Sequence, residues 1–155
     1  MFYNFYSQSN DTIRFVTDND IIYDVEFKLD HYHLGNFYLQ KMFSLSIIPI
    51  TDSLKYPLDK KLENTIIFIC QQFLQSPDRI LTFTCKSLYG KQIARWRKFT
   101  YWFDKHNTTH IKKDILIEMG DTKMYAAIVY HKDCSFRTNL ENDIDATYSE
   151  YQNLK

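Results

Sequence analysis

The hydrophobic period of this chain switches from two to 3.6 and back, and that switch sets the order of its elements. In "IIYDVEFKL" (Ile21–Leu29), Tyr23, Val25, Phe27 and Leu29 alternate with Asp24, Glu26 and Lys28, and Ile22 is the exception. A strand with one buried and one wet face produces this pattern. "TIRFVT" (Thr12–Thr17) precedes it across the polar turn "DND" and reads as a neighbouring strand. Past Gly35, "FYLQKMFSLSIIPI" (Phe37–Ile50) is rich in strand-favouring residues and reads as a third, longer strand ending near Pro49.

Helical spacing then takes over. Leu58, Leu62, Ile66, Ile69, Cys70 and Phe73 fall on one face of a helix running from about Leu58 to Leu74. Ile67, Phe68 and Leu74 widen that face, so the helix is expected to be covered on more than one side. Asp59 suits its N-cap and Pro77 its stop. "RILTFTC" (Arg79–Cys85) is a short strand, and "YGKQIARWRKFTYWF" (Tyr89–Phe103) a second helix. "HIKKDILIEM" and "KMYAAIVYH", joined by Gly120-Asp121-Thr122, read as a hairpin. The polar tail from about Cys134 carries Leu140, Ile144, Tyr148 and Tyr151, which suit one side of an amphipathic helix or a loose end.

No linker, repeat or low-complexity segment interrupts the chain, so residues 1–155 are expected to form a single domain. The class is α+β: a mixed, mainly antiparallel sheet in the order β-β-β-α-β-α-β-β with two main helices. The central β-α-β unit implies one parallel neighbour.

Composition excludes several functions. The chain is 45% hydrophobic and 17% aromatic, which indicates a heavy core. Its formal net charge is zero, which argues against a surface built for nucleic acid. Cys70, Cys85 and Cys134 are odd in number and far apart, a pattern suited to a reducing compartment rather than a disulfide framework. "MFYNFYSQSNDT" lacks the features of a secretion signal, and the longest apolar run, "TIIFIC", is too short to span a bilayer. The expectation is a cytoplasmic protein with no membrane partner.

The second helix holds the densest chemistry. At about 100° per residue, Ile93, Trp96, Phe99, Thr100 and Phe103 form the expected core stripe. Lys91, Arg95, Lys98 and Trp102 gather on the opposite side. As a solvated basic face this needs no ligand. As a site, Arg95 would fork a carboxylate or phosphate and Trp102 would offer a stacking plate. The binding candidates are therefore Lys91, Arg95, Lys98 and Trp102, and the partner an unknown protein or an anionic ligand. Competitors for the basic face are present in the same chain: Asp18, Asp20, Asp24, Glu26 and Asp30 early, and Asp133, Glu141, Asp143, Asp145 and Glu150 late. They could neutralise it within one molecule or across a homodimer.

Catalytic signatures are missing. His31-x-His33 and the His106/His110 pair have no carboxylate or thiol partner at a metal-binding spacing, so no metal site is expected. There is no Gly-x-Ser-x-Gly and no His-Glu-x-x-His. Cys85, at a strand end before the basic helix, is the thiol whose reactivity merits a test.

The segments "TIIFICQQF", "ILTFTC" and "KQIARWRKFTYWF" resemble an uncharacterised family of small α+β proteins with no assigned function. The element order over about residues 12 to 130 resembles the core of the GCN5-related acetyltransferases. That resemblance implies an acetyl-CoA cofactor held at the start of the first core helix. The family's cradle for the cofactor needs glycines, and "ITDSLKYPLDKKLEN" has none, although Lys55, Lys60 and Lys61 lie nearby. Along the second helix Ala94 and Phe103 match the family pattern, whereas Lys91, Lys98 and Trp102 stand where it has Asn, Tyr and Gly. The reading is a small cytoplasmic binding or regulatory module without catalysis and without a cofactor, with a divergent acyltransferase as the alternative. A nucleic-acid-binding role ranks below both.

Overall fold

The computed structural model describes residues 1–29, 34–54, 59–85, 92–106, 109–119 and 121–153, and of 36, 85, 92–97, 99, 117–119, 122–124 and 149–153 it describes the backbone alone. Among these residues seven strands build one sheet: β1 (Phe5–Ser9), β2 (Thr12–Val16), β3 (Ile22–Leu29), β4 (Met42–Pro49), β5 (Ile80–Cys85), β6 (His110–Met119) and β7 (Thr122–His131). Their order across the sheet is β1-β2-β3-β4-β5-β7-β6. Each neighbouring pair is antiparallel except β4 and β5, which run parallel from Met42↔Ile80 to Leu45↔Phe83. Helix α1 (Lys60–Phe73) connects that parallel pair, as a crossover must. Helix α2 (Gln92–His106) leads from β5 to the β6–β7 hairpin, and α3 (Arg137–Asn153) closes the chain.

The α+β class and the mixed, mainly antiparallel sheet are as the periodicity suggests, with three differences. A strand, β1, precedes the meander and pairs Phe5↔Phe15 through Ser9↔Thr12 with β2. Its side chains are mostly exposed, so an apolar alternation was absent from its sequence. The third strand starts later than expected, because Asn36–Tyr38 form a 3-10 turn that follows Gly35, whose φ of 100° is open to glycine. The tail is a helix, and Leu140, Ile144 and Tyr148 are its buried line.

Local chemistry explains the first helix. Asp59 has extended backbone (φ −103°, ψ 167°), and its Oδ1 accepts the amide of Leu62 at 2.5 Å. That satisfies one of the amides a helix start leaves bare. The Tyr3 hydroxyl donates to Oδ2 of the same carboxylate at 2.7 Å. Leu62, Ile66, Ile67, Ile69 and Cys70 are all buried, which matches the wide apolar face. The helix ends at Phe73, and Leu74 closes it by donating its amide to the Cys70 carbonyl.

Two cores lie on the two faces of the sheet. One joins Phe15, Tyr23, Val25, Phe27, Leu45, Leu81, Ala127 and Val129 to α1 and to Trp102 of α2. The Phe27 and Phe73 rings stack there with centroids 4.1 Å apart. The other joins Met42, Ile80, Ile115, Ile128 and Tyr130 to Tyr38 and to Leu140, Ile144 and Tyr148 of α3. The Tyr38 hydroxyl donates to Asp143 at 2.5 Å and ties the 3-10 turn to α3. On the same side of the β2–β3 ladder, Arg14 forks the Asp24 carboxylate at 2.7 and 2.9 Å, so the polar face of β3 is locally dry.

Candidate functional site

Helix α2 is oriented differently from the wheel. Trp102, expected among the cations on the outer side, is 8% exposed and belongs to the α1-side core. Tyr101 is the outward residue, at 59%. Phe103 packs partly buried against that core, as expected. The described C-terminal half is therefore turned so that Trp102, Phe103 and His106 share the inner side. Lys98 is half-buried, and its ammonium sits 5.6 Å from the Trp102 ring centroid. Lys91 lies outside the described residues, as does the side chain of Arg95. The four candidates are thus not seen together as one surface. Trp102 is occupied by the core, and its contact with Lys98 accounts for the neighbouring cation.

A polar anchor on α1 explains the turn of α2. Glu63, one residue after the buried Leu62, has only 8% exposure. Its Oε1 lies 3.3 Å from Lys105 Nζ and 3.2 Å from His106 Nε2, both at the C-terminal end of α2. A buried carboxylate must be paired, and cations at a helix C-terminus also complement the helix dipole. This tie pins the end of α2 to α1.

Beside it opens a cleft of about 470 Å³. Its floor is made of core residues: Ile66, Ile67, Cys70, Leu74, Leu81 and Val129. Phe103 forms a side wall, and Gln71, Gln75, Thr109 and the imidazoles of His106, His110 and His131 make the rest of the lining. Helix α1, the end of α2, the start of β6 and the strands β5 and β7 bring these residues together. A cavity of a few hundred Å³ with an apolar lining and a few polar groups has the properties of a small-molecule site.

The imidazoles have defined surroundings. The His110 and His131 rings stand edge to face with centroids 5.1 Å apart. His110 Nδ1 is 3.0 Å from the Thr109 hydroxyl and Nε2 is 3.5 Å from the Leu74 carbonyl. Burial holds the His110 pKa below the ordinary imidazole value; the hydrogen bond to the Leu74 carbonyl opposes this, and charge on His131 adds to it. His131 Nδ1 accepts the Asp133 amide at 3.0 Å. Cys70, in the cleft floor, is a free thiol that burial pushes up to about 12, so it serves as apolar lining rather than a nucleophile.

Other expected sites resolve as follows. Cys134 is a second buried free thiol, and the side chain of Cys85 lies outside the described residues. His31 and His33 lie outside them too. Among the described residues no group of three or more His, Cys, Asp or Glu is placed to hold a metal. No described helix is long and apolar enough to cross a membrane. The cleft itself was missed because its polar residues come from four separate elements. Its one local signal is the His106/His110 pair, whose spacing of four is as compatible with a metal pair as with a shared cleft wall.

A family model, described as a family of unknown function (DUF6169), matches residues 58–145. The matched span runs from the cap of α1 into α3 and contains every residue that lines the cleft. No curated protein and no solved structure matches the chain.

Proposed function

We propose a non-catalytic ligand-binding role for this chain, which belongs to the DUF6169 family of unknown function, with the ligand held in the cleft between α1, the end of α2 and the β6–β7 hairpin. One observation carries the reading: the cleft opens directly onto the core, with Leu81 and Val129 each 1% exposed at its floor and polar groups at its edge. Such a combination offers hydrophobic driving force and orienting contacts together. The buried thiols of Cys70 and Cys134 support a reducing, cytoplasmic setting.

The test uses Nile red, a neutral apolar dye, and the variant Gln71→Trp, which places an indole at the exposed rim of the cleft without altering the core. Saturable one-to-one fluorescence enhancement is expected for the unmodified protein. Loss of that enhancement in Gln71→Trp, with an unchanged circular dichroism spectrum, supports the site. Enhancement that is unsaturable, or that persists undiminished in the variant, overturns it.

The acyltransferase alternative draws support from the parallel β4–β5 pair within an otherwise antiparallel sheet. Against it, the Asp59 carboxylate already accepts the Leu62 amide at the start of α1, where a pyrophosphate would bind, and its negative charge would repel one. Lys61 there faces the Tyr3 ring at 4.5 Å and Asp18 at 3.6 Å. Calorimetric titration with acetyl-CoA separates the two readings: saturable micromolar binding that survives Gln71→Trp favours the acyltransferase.

A further inference from the structure

We propose that a second groove, on another flank of α1, binds a small aromatic carboxylate, with its ring on Leu29 and Phe43 and its carboxylate on Arg79. The groove has a volume of about 730 Å³ and shares no lining residue with the cleft, so the proposal stands apart from the reading above.

A stack around Phe73 builds the site. The Phe73 ring lies on Phe27, with centroids 4.1 Å apart, and the Arg79 guanidinium sits 4.7 Å from the Phe73 centroid. Arg79 Nη1 also donates to the Phe73 carbonyl at 3.0 Å. These two contacts fix the guanidinium. They also answer the negative end of α1, which would otherwise turn an anion away. Nε and Nη2 of Arg79 have no partner among the described residues, and that edge of a guanidinium grips a carboxylate with two prongs. Apolar surface lies beside it. Leu29 and Phe43 face each other across β3 and β4, and the next strand is β5, which Arg79 directly precedes. Leu29 is 36% exposed and Phe43 is only partly buried. A flat ring gains burial there and an aromatic contact with Phe43.

The other charges nearby leave Arg79 as the group that receives an anion. Lys28, which also lines the groove, pairs with Glu26 at 3.1 Å. The Asp11 carboxylate accepts the Ser9 and Thr12 hydroxyls, each at 3.0 Å. Asp11 sits in the β1–β2 turn, three strand spacings or about 14 Å from β5, which exceeds the screening length of about 10 Å at 0.1 M salt. Asp78, next to Arg79, is held by the Ser135 amide and hydroxyl at 3.1 and 2.9 Å. One guanidinium, with Lys28 already paired, matches a carboxylate monoanion better than a phosphate dianion.

Calorimetry with 2-naphthoate and 2-naphthalenemethanol at pH 7 tests this. At low salt, naphthoate is expected to bind about five- to tenfold more tightly than the alcohol, as a charge-assisted contact gives. Arg79 is exposed, so the preference should shrink in about 0.5 M salt. Arg79→Gln should remove the preference and leave binding of the alcohol in place. Gln72→Trp, at the exposed wall of the groove, should abolish binding of both probes, whereas Gln71→Trp, at the rim of the cleft, should leave it unchanged. Equal affinities at low salt, or a preference that survives Arg79→Gln, overturn the proposal. So does binding that is lost in Gln71→Trp and kept in Gln72→Trp, which moves the ring to the cleft and leaves the cleft reading intact. Failure of both probes to bind overturns this proposal alone, because Nile red reports on the cleft separately. If Arg79→Gln fails to fold, the contrast between the probes, its salt dependence and the two tryptophan variants decide the matter.

Discussion

Trp102 shows how one residue changes the reading of a helix. A surface tryptophan beside Lys98 would be a contact plate, but a tryptophan with 8% exposure is part of the core. Trp102→Ala is expected to destabilise the fold by about 3–5 kcal/mol, as removal of large buried side chains does. Lys98→Ala should cost no more than about 1 kcal/mol, the scale of a cation–π contact. Urea denaturation of both variants checks the contrast, and a Trp102→Ala cost below that of Lys98→Ala would restore the tryptophan to the surface. The wheel misplaced this residue because aromatics occupy both sides of α2, so apolar spacing alone gives no single inward direction. The deciding group was Glu63, a carboxylate on another helix, whose pairing with Lys105 and His106 depends on tertiary structure.

At the level of elements, the legible parts were those with strong local chemistry. The N-cap at Asp59, the apolar face of α1 and the alternation of β3 each follow from short-range pattern; the first two are present, while β3 buries Tyr23, Val25 and Phe27 as expected but also buries Asp24 against Arg14 and leaves Leu29 exposed. The β6–β7 hairpin, with Met119 opposite Thr122, belongs to the same group. Elements that were missed or left open lack such pattern. β1 is an exposed edge strand, and α3 has a thin apolar line that gains its burial from Tyr38 and the sheet. The cap also has a measurable role. Asp59→Ala removes the acceptor for the Leu62 amide and for the Tyr3 hydroxyl, and should cost about 1–2 kcal/mol. Asp59→Asn keeps an acceptor and should recover most of that loss in thermal unfolding. Equal losses for the two variants would show that charge, rather than capping geometry, is what matters at this position.

For the whole molecule, the arrangement of the sheet places the cleft and divides the chain. The matched family span begins at residue 58, yet the α1-side core also draws Phe15, Tyr23, Val25, Phe27 and Leu45 from β2, β3 and β4. The N-terminal meander is therefore a structural requirement for the helix that carries the cleft floor. The parallel junction of β4 and β5 has a further consequence, in the time taken to fold. β1 to β4 pair each with the next strand in sequence, as do β6 and β7, so these ladders close over short loops. Joining β4 to β5 requires ordering the segment between them first, and pairings of that kind are slow to form. Met42 and Ile80 face each other across the junction, both fully buried. Met42→Ala is expected to act mainly by slowing refolding, whereas Leu140→Ala, in the C-terminal helix α3, is expected to act mainly by speeding unfolding. Stopped-flow chevrons of the two variants would distinguish these limbs, and the long-range pairings of β5, with β4 on one side and β7 on the other, would then set how fast this protein reaches its native state.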